Sequence, residues 1–447
     1  MNSNFQSKTI QLFKDYLNSA CKPRNDHKIG TEFELITTTR DFRPKQLDAD
    51  QGLYSMLECL SQSADWQAKE IHGGKVISLN REEGDITLEP GCQMELSARP
   101  HHEISAIQKD FNAYMNSLRP CQDIHDIRYF GVGVNPLHHA DDIKLSPKPR
   151  YQIMNNLFSN KSTLGKYMMR TSSSIQVCID FESPDDLLQQ LQLSLRIAPF
   201  AIALFANSPF FGGEHNGYLC NRSRIWHNTD PDRCGIPQVW MNPDSSLEGV
   251  LDFALKSPPI FVDRGQGYEC AQGKSFYELF EDVEDENEIL SQLETHLGQL
   301  FFESRFKKYL EIRCIDGQIP RFQMCVPAFI KGLFHHLPTR FEAIELLKTY
   351  SDEQIYQAYL QVARSALQTK ISNHPILDSV KELLDLACKG LNELAKEQNL
   401  LRSEEVYLHP LLEIVHENGY SPADYLLRAW EKDFGGNLKE TMTLMEY

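Results

Sequence analysis

Glu32 and Glu34 stand one residue apart in Lys28-Ile29-Gly30-Thr31-Glu32-Phe33-Glu34-Leu35-Ile36, a run that otherwise reads as a buried strand. Residues i and i+2 of a strand share a face, so both carboxylates project together. Two adjacent negative charges resist burial unless a cation neutralises them. Magnesium takes carboxylate and phosphate oxygens as ligands, so the pair points to a metal-bound phosphorylated molecule.

Further segments carry side chains of the same kinds. Glu89 and Glu95 flank the Pro90-Gly91 turn, and Gln176 sits on a polar strand face. Arg222, Arg224 and Trp226 fall within Asn221–Trp226, ahead of Asp230-Pro231-Asp232-Arg233, while Glu311 and Arg313 share a face of Tyr309–Arg313. Together these supply acidic oxygens for divalent ions and arginines for anionic oxygens, the two ingredients of phosphoryl transfer. There is no glycine-rich phosphate loop, so a nucleotide would be held through metals and side chains. Singly, each signal has a plain alternative. A Glu-x-Glu pair can be the solvated face of a sheet, and Glu311 with Arg313 can be a same-face ion pair. Gln176 can be a hydrogen-bonded strand residue, and Pro90-Gly91 is a structural turn in either case. The paired histidines at 101–102, 138–139 and 335–336 show no metal spacing with acids.

The elements that must position these groups follow from periodicity and punctuation. Helical spacing predicts helices over Gln6–Ser19, Gln51–Gln62 and His102–Leu118. Short strands are expected at Val76–Leu79, Ile86–Leu88, Gln93–Ser97, Tyr129–Val134 and Tyr309–Cys314, and a long one at Met168–Phe181. Ser183-Pro184-Asp185 caps a helix that runs to Ala206, with Pro199 a point where it can break. Gly212–Pro237 reads as loop-rich, and the chain beyond Pro327 as helical. The fold class expected is α+β, with a catalytic region over residues 1–326 and a helical C-terminal region over 327–447 packed on the same unit.

Composition narrows the function classes. A formal charge of −17 argues against nucleic-acid and anionic-membrane surfaces. The most apolar stretch, Ile197–Phe205, is too short to span a bilayer, and Met1–Lys14 lacks an apolar signal core. The eleven cysteines contain no Cys-x-x-Cys pair. A cytosolic protein with mostly reduced thiols is expected, with one disulfide left open and its partners undetermined.

Several segments taken together resemble the plant and proteobacterial type of glutamate–cysteine ligase, within the carboxylate–amine ligase group. They are Ile29–Glu32, Leu88–Gly91 with Gln93–Ser97, Met168–Thr171, Ala203–Phe210, Arg222-Ser223, Ile225-Trp226, Asp230–Arg233 and Lys308–Arg313. The resemblance implies a glutamine-synthetase-like curved, mainly antiparallel β-sheet that holds ATP and Mg²⁺. Glutamate would be phosphorylated on its γ-carboxylate, and the cysteine amine would then displace phosphate. By position it implies Glu32, Glu34, Glu89, Glu95 and Glu311 as metal ligands, and Gln176 as a metal- or nucleotide-contacting group. Arg313 would hold the transferring phosphoryl group, acting with Glu311 in catalysis. Arg222 and Trp226 would form part of the glutamate pocket, with Arg170 and Arg224 as further candidates. Small-molecule substrates and a monomer or homodimer are expected. Departures from the family pattern are Ser97-Ala98-Arg99-Pro100, which adds bulk and charge beside the expected pocket, Ser172-Ser173-Ser174 after Thr171, and His227-Asn228. A relative using another amine acceptor, and an inactive homologue with a binding role, are the competing readings. A two-carboxylate glycosidase would leave the additional acids and arginines without a purpose.

Overall fold

The computed structural model describes residues 3–49, 51–63 and 65–447. Its centre is an antiparallel sheet of nine strands among the described residues. In chain order these are β1 (Ile29–Thr38), β2 (Gln67–His72), β3 (Lys75–Arg81), β4 (Gly84–Leu88), β5 (Met94–Ala98), β6 (Arg128–Phe130), β7 (Ile175–Ile179), β8 (Ser304–Phe306) and β9 (Leu310–Ile312). Across the sheet they run β8-β9-β7-β1-β5-β4-β3-β2, and β6 pairs with the far end of β1.

Alternation along each strand sorts the side chains. Phe33, Ile175, Val177, Met94, Leu96, Ile86, Leu310 and Ile312 point to one face and are buried in the main core. Phe33 packs there on Phe111 of helix α3, with ring centroids 4.8 Å apart. That leaves Glu32, Glu34, Gln176, Glu95 and Glu311 for the opposite face. Register then lines them up across strands. Glu32 is opposite Gln176, Glu34 opposite Glu95, and Arg305 opposite Glu311.

The helices that matter here are α1 (Ser3–Asn18), α2 (Leu53–Ser63), α3 (Ile104–Ile124), α4 (Pro149–Lys161), α5 (Gly165–Thr171), α6 (Pro184–Leu204) and α7 (Asn221–His227). α6 carries Pro199 within it and is unbroken; its N-cap Ser183 accepts a hydrogen bond from the Asp186 amide, and Pro184 occupies the first turn. It is long and apolar enough to cross a membrane, but 83% of that stretch is buried inside this fold. Its apolarity is therefore that of a core helix. The C-terminal helices Cys325–Phe334 and Leu377–Glu397 belong to the same hydrophobic core as the sheet, which draws on residues from Phe5 to Met445.

Some expected elements differ. Met168–Phe181 is not one strand: Met168–Thr171 complete helix α5, and only Ile175–Ile179 is sheet. Between them the polar run Thr171–Ser174 breaks the alternation, and the Ser172 and Thr171 hydroxyls bond back to the carbonyls of Met168 and Tyr167, the pattern of a helix end. The strand expected at Tyr129–Val134 stops at Phe130. The loop-rich stretch 212–237 contains helix α7. Past Pro327 a small strand pair, Lys370–Ile371 with His374–Pro375, interrupts the helices. Among the nine cysteines left unpaired, Cys270 is exposed; Cys59 of α2 and Cys121 of α3 form a disulfide.

Candidate active site

The polar face of the sheet floors a cleft of about 380 Å³. Glu32, Glu34, Glu89, Glu95, Gln176, Trp226 and Arg313 all line it, so seven of the residues singled out from the sequence meet in one place. Glu89 is brought in by the β4–β5 turn. There the Glu89 amide donates to the Gln93 carbonyl at 3.0 Å, and the Gln93 side chain bridges the Gly91 amide (2.8 Å) and the Ser172 carbonyl (2.7 Å). Gly91 is required because a Cβ there would stand 2.2 Å from the Arg170 carbonyl oxygen.

The carboxylates fall into two electrostatic groups. Burial, followed by repulsion from Glu95 and Glu311, pushes Glu32 up to about 8. Burial and then Glu89 and Glu34 raise Glu95, although the hydroxyls of Ser97 (2.7 Å) and Thr87 (3.2 Å) donate to it. Glu89 is raised by burial and by Glu34. Glu34 is also raised by burial, which outweighs Arg222 and the donations from the Ser174 amide (2.7 Å) and Gln176 (2.9 Å). These four acids lack sufficient positive charge from the protein itself.

Glu311 is the reverse. Burial pushes it up, but Arg305, Lys307 and Arg313 together hold it well below the usual carboxylate range. Arg305 grips it with two parallel bonds, Nε to Oε2 at 2.9 Å and Nη2 to Oε1 at 2.8 Å, the geometry in which the guanidinium fork is strongest. Arg305 is itself held by the Gly298 carbonyl at 2.7 Å. Arg313 donates to Glu311 and to Gln176, lies over the Trp226 ring at 5.9 Å, and keeps a buried Nε with no partner in the protein.

Among the described residues no three acids, histidines or cysteines close into a ready-made cation cage. Magnesium does not need one, since it is usually held by one or two carboxylates with water and substrate phosphate completing the shell. Four under-neutralised carboxylates on one cleft floor fit that mode of binding.

The arginine candidates divide. Arg222 is not among the residues lining the cleft but is packed against two that are: it donates to the Arg313 carbonyl at 2.8 Å, and its guanidinium lies 5.3 Å from the Trp226 ring centre. Arg170 is not brought to the cleft: it donates to the Ala140 carbonyl (3.1 Å) and the Asn155 side chain (3.0 Å), because α5 turns it away from the sheet. Arg224 also points elsewhere, over the Tyr218 ring at 4.6 Å. Arg99 does not enter the pocket either. It is exposed and folds over the β3–β4 turn, donating to the Glu82 carbonyl at 3.1 Å. Asp230 and Arg233 form a buried ion pair with Lys161, a structural role.

Other residues reach the cleft without having been singled out. Arg150 and Tyr151 enter from the start of α4, where Lys148-Pro149 is a readable helix opening. Arg305 was legible only once β8 was known to pair with β9. Phe261 and Tyr268, whose rings are 4.9 Å apart, hang over the opposite side from a short hairpin.

An antiparallel sheet with its acids gathered on one face is the architecture that the resemblance to glutamine-synthetase-like ligases implies. Residues 28–443 match the model of glutamate-cysteine ligase family 2 (GCS2). The chain is similar to glutamate–cysteine ligase B, chloroplastic, of Oryza sativa subsp. japonica, 32% identical over 422 residues covering 93% of this chain and 83% of the relative. It is also similar to the chloroplastic enzyme of Arabidopsis thaliana, 30% identical over 425 residues, 94% of this chain and 79% of that one. Among solved structures, glutamate–cysteine ligase from Francisella tularensis in complex with AMP shares the fold with a TM-score of 0.54 at 13% identity, over 94% of this chain and 87% of that one. The chain belongs to glutamate–cysteine ligase family 2, and it is an enzyme. One expectation is corrected by these relatives: they are named chloroplastic, against the cytosol expected from the sequence.

Proposed function

We propose that this protein joins the γ-carboxylate of L-glutamate to the amine of L-cysteine at the expense of ATP, through γ-glutamyl phosphate. The product is γ-glutamylcysteine, and the reaction is the first step towards glutathione. The observation that carries this reading is the cleft floor itself, with four under-neutralised glutamates bordered by Arg313.

A carboxylate is a poor acyl donor, and phosphorylation gives it a leaving group. Glu32, Glu34, Glu89 and Glu95 would hold Mg²⁺, which offsets the charge of the polyphosphate when bound. Glu311, expected as a fifth ligand, is outside the cleft lining and already engaged by Arg305 and Arg313, so its role is to orient those arginines. Arg313 would present guanidinium donors where charge develops on the transferring phosphoryl group, and its buried Nε has no partner within the protein. Arg222, with a buried Nε also lacking a protein partner, seats a glutamate carboxylate beside Trp226. Gln176 spans the two halves, donating to Glu34 and accepting from Arg313.

The acceptor side is the corner formed by Arg150, Tyr151, Met154, Met168 and Phe261. A guanidinium suits an amino-acid carboxylate, and soft, polarizable methionines beside aromatic rings suit a thiol side chain. This corner favours cysteine over a simple amine. Measuring ADP release with glutamate plus cysteine, other amino acids and simple amines tests the assignment. Cysteine should give the highest kcat/KM by at least about ten-fold, roughly 1.4 kcal/mol of discrimination; equal rates with a simple amine would refute it.

A further inference from the structure

Asn207 and Ser208 belong to a segment that carries the family resemblance, yet neither lines the cleft. Both are buried. Their contacts lead to the short helix that carries Arg222.

Helix α7 begins at Asn221, and its N-cap residue, Cys220, provides no side-chain cap. The first amides of any helix need acceptors from elsewhere. Ser208, remote in sequence, supplies two. Its carbonyl accepts from the Asn221 amide at 3.2 Å, and its Oγ accepts from the Arg222 amide at 3.2 Å. A hydroxyl has a single proton. Ser208 directs it to Asp316 Oδ2 at 2.6 Å, and the Asn207 amide donates to the same oxygen at 2.9 Å. The other oxygen of Asp316 accepts from Cys220 Sγ at 3.2 Å. Asp316 is fully enclosed, in the stretch just after Arg313. The circuit closes because Arg222 Nη2 donates to the Arg313 carbonyl at 2.8 Å. Of this circuit only Arg313 lines the cleft, yet the circuit joins the two arginines on which the proposed chemistry depends.

We propose that Ser208 and Asp316 are positioning residues: acting through the first turn of α7, they fix the Arg222 guanidinium relative to Arg313 and so set the seat of the glutamate carboxylate. This rests on Arg222 belonging to the glutamate pocket. Burial pushes the Asp316 carboxyl above its usual range, and Arg222 is the chief charge that works against that rise. The arrangement also explains why a serine, and not merely a small residue, stands at 208. Alanine would fill the space but leave the Arg222 amide and the Asp316 oxygen each short of a partner.

The test is steady-state kinetics of Ser208→Ala, Asp316→Asn and Arg222→Lys, varying glutamate, ATP and cysteine in turn, with a thermal melt of each variant. Loss of one such hydrogen bond should raise the glutamate KM of Ser208→Ala about three- to ten-fold, with the ATP and cysteine KM values within about two-fold of wild type. Asp316→Asn keeps the shape and one acceptor oxygen and should show a smaller rise of the same kind; either variant suffices if the other does not fold. A rise of all three KM values alike, or a fall in kcat alone beside a lowered melting temperature, would mark a general disturbance and overturn the inference. A changed glutamate KM in Arg222→Lys beside unchanged values in Ser208→Ala and Asp316→Asn would overturn it alone. An unchanged glutamate KM in Arg222→Lys would overturn the place given to Arg222, and the inference with it.

Discussion

Replacing Arg313 with alanine should separate catalysis from folding. Arg313 is buried and donates to Glu311 and Gln176. Its loss leaves Glu311 with both bonds from Arg305, at 2.9 and 2.8 Å, and with the Lys307 ammonium at 3.7 Å. The carboxylate therefore stays neutralised, and the structural cost is that of the Gln176 oxygen left without its donor, about 1–3 kcal/mol. The chemical step loses a fixed donor aimed at developing charge, which is worth about 10²–10³ in kcat, or roughly 2.7–4 kcal/mol. The assay is coupled ADP release at saturating glutamate, cysteine and ATP, run beside a denaturant titration. We expect kcat to fall at least about 100-fold in a protein that remains folded. A folded variant retaining kcat within about five-fold of wild type would refute the role given to Arg313.

Three more outcomes follow from the same structure. Arg305→Met strips the bidentate partner from a carboxylate that is 1% exposed, and should cost about 3 kcal/mol in a denaturant titration; adding Glu311→Gln should recover part of that, and strict additivity would contradict the pairing. The elevated carboxylates give stability that is full below their unfolded value of 4.5 and lost as pH rises through the folded value, about 8 for Glu32. Mg²⁺ competes with those protons, so the rise in Tm from added MgCl2 should be larger at pH 8.5 than at pH 6, and an equal rise at both would count against a metal role for these glutamates. Reducing the Cys59–Cys121 disulfide, which closes a separation of 62 residues, should lower stability by about 4 kcal/mol, read as a drop in Tm with dithiothreitol; no change would mean that the bond constrains nothing.

The cleft floor was legible because strand alternation is a strict rule. Glu32 with Glu34, and Glu311 with Arg313, were found by their two-residue spacing, and the structure puts each pair on the expected face. What spacing could not show was pairing across strands. That Glu34 faces Glu95, and that Arg305 rather than a metal alone balances Glu311, depends on register, which is set by contacts far apart in sequence. Arg170 misled for a local reason. The alternation of Met168–Phe181 looked like a strand, but helix α5 occupies its first part and rotates Arg170 towards the Ala140 carbonyl. Helix α7 was hidden for a different reason: seven residues lacking a side-chain cap leave little periodic signal, and its cap, Ser208, comes from another part of the chain.

The central claim is that glutamate is activated as an acyl phosphate in this cleft before the amine attacks. Glutamate carrying ¹⁸O in its γ-carboxylate tests it directly, with the inorganic phosphate analysed by mass spectrometry after turnover with ATP and cysteine. The account predicts one ¹⁸O atom in each phosphate released, because the bridging oxygen of γ-glutamyl phosphate leaves with phosphorus. Phosphate free of ¹⁸O, formed together with γ-glutamylcysteine, would contradict it.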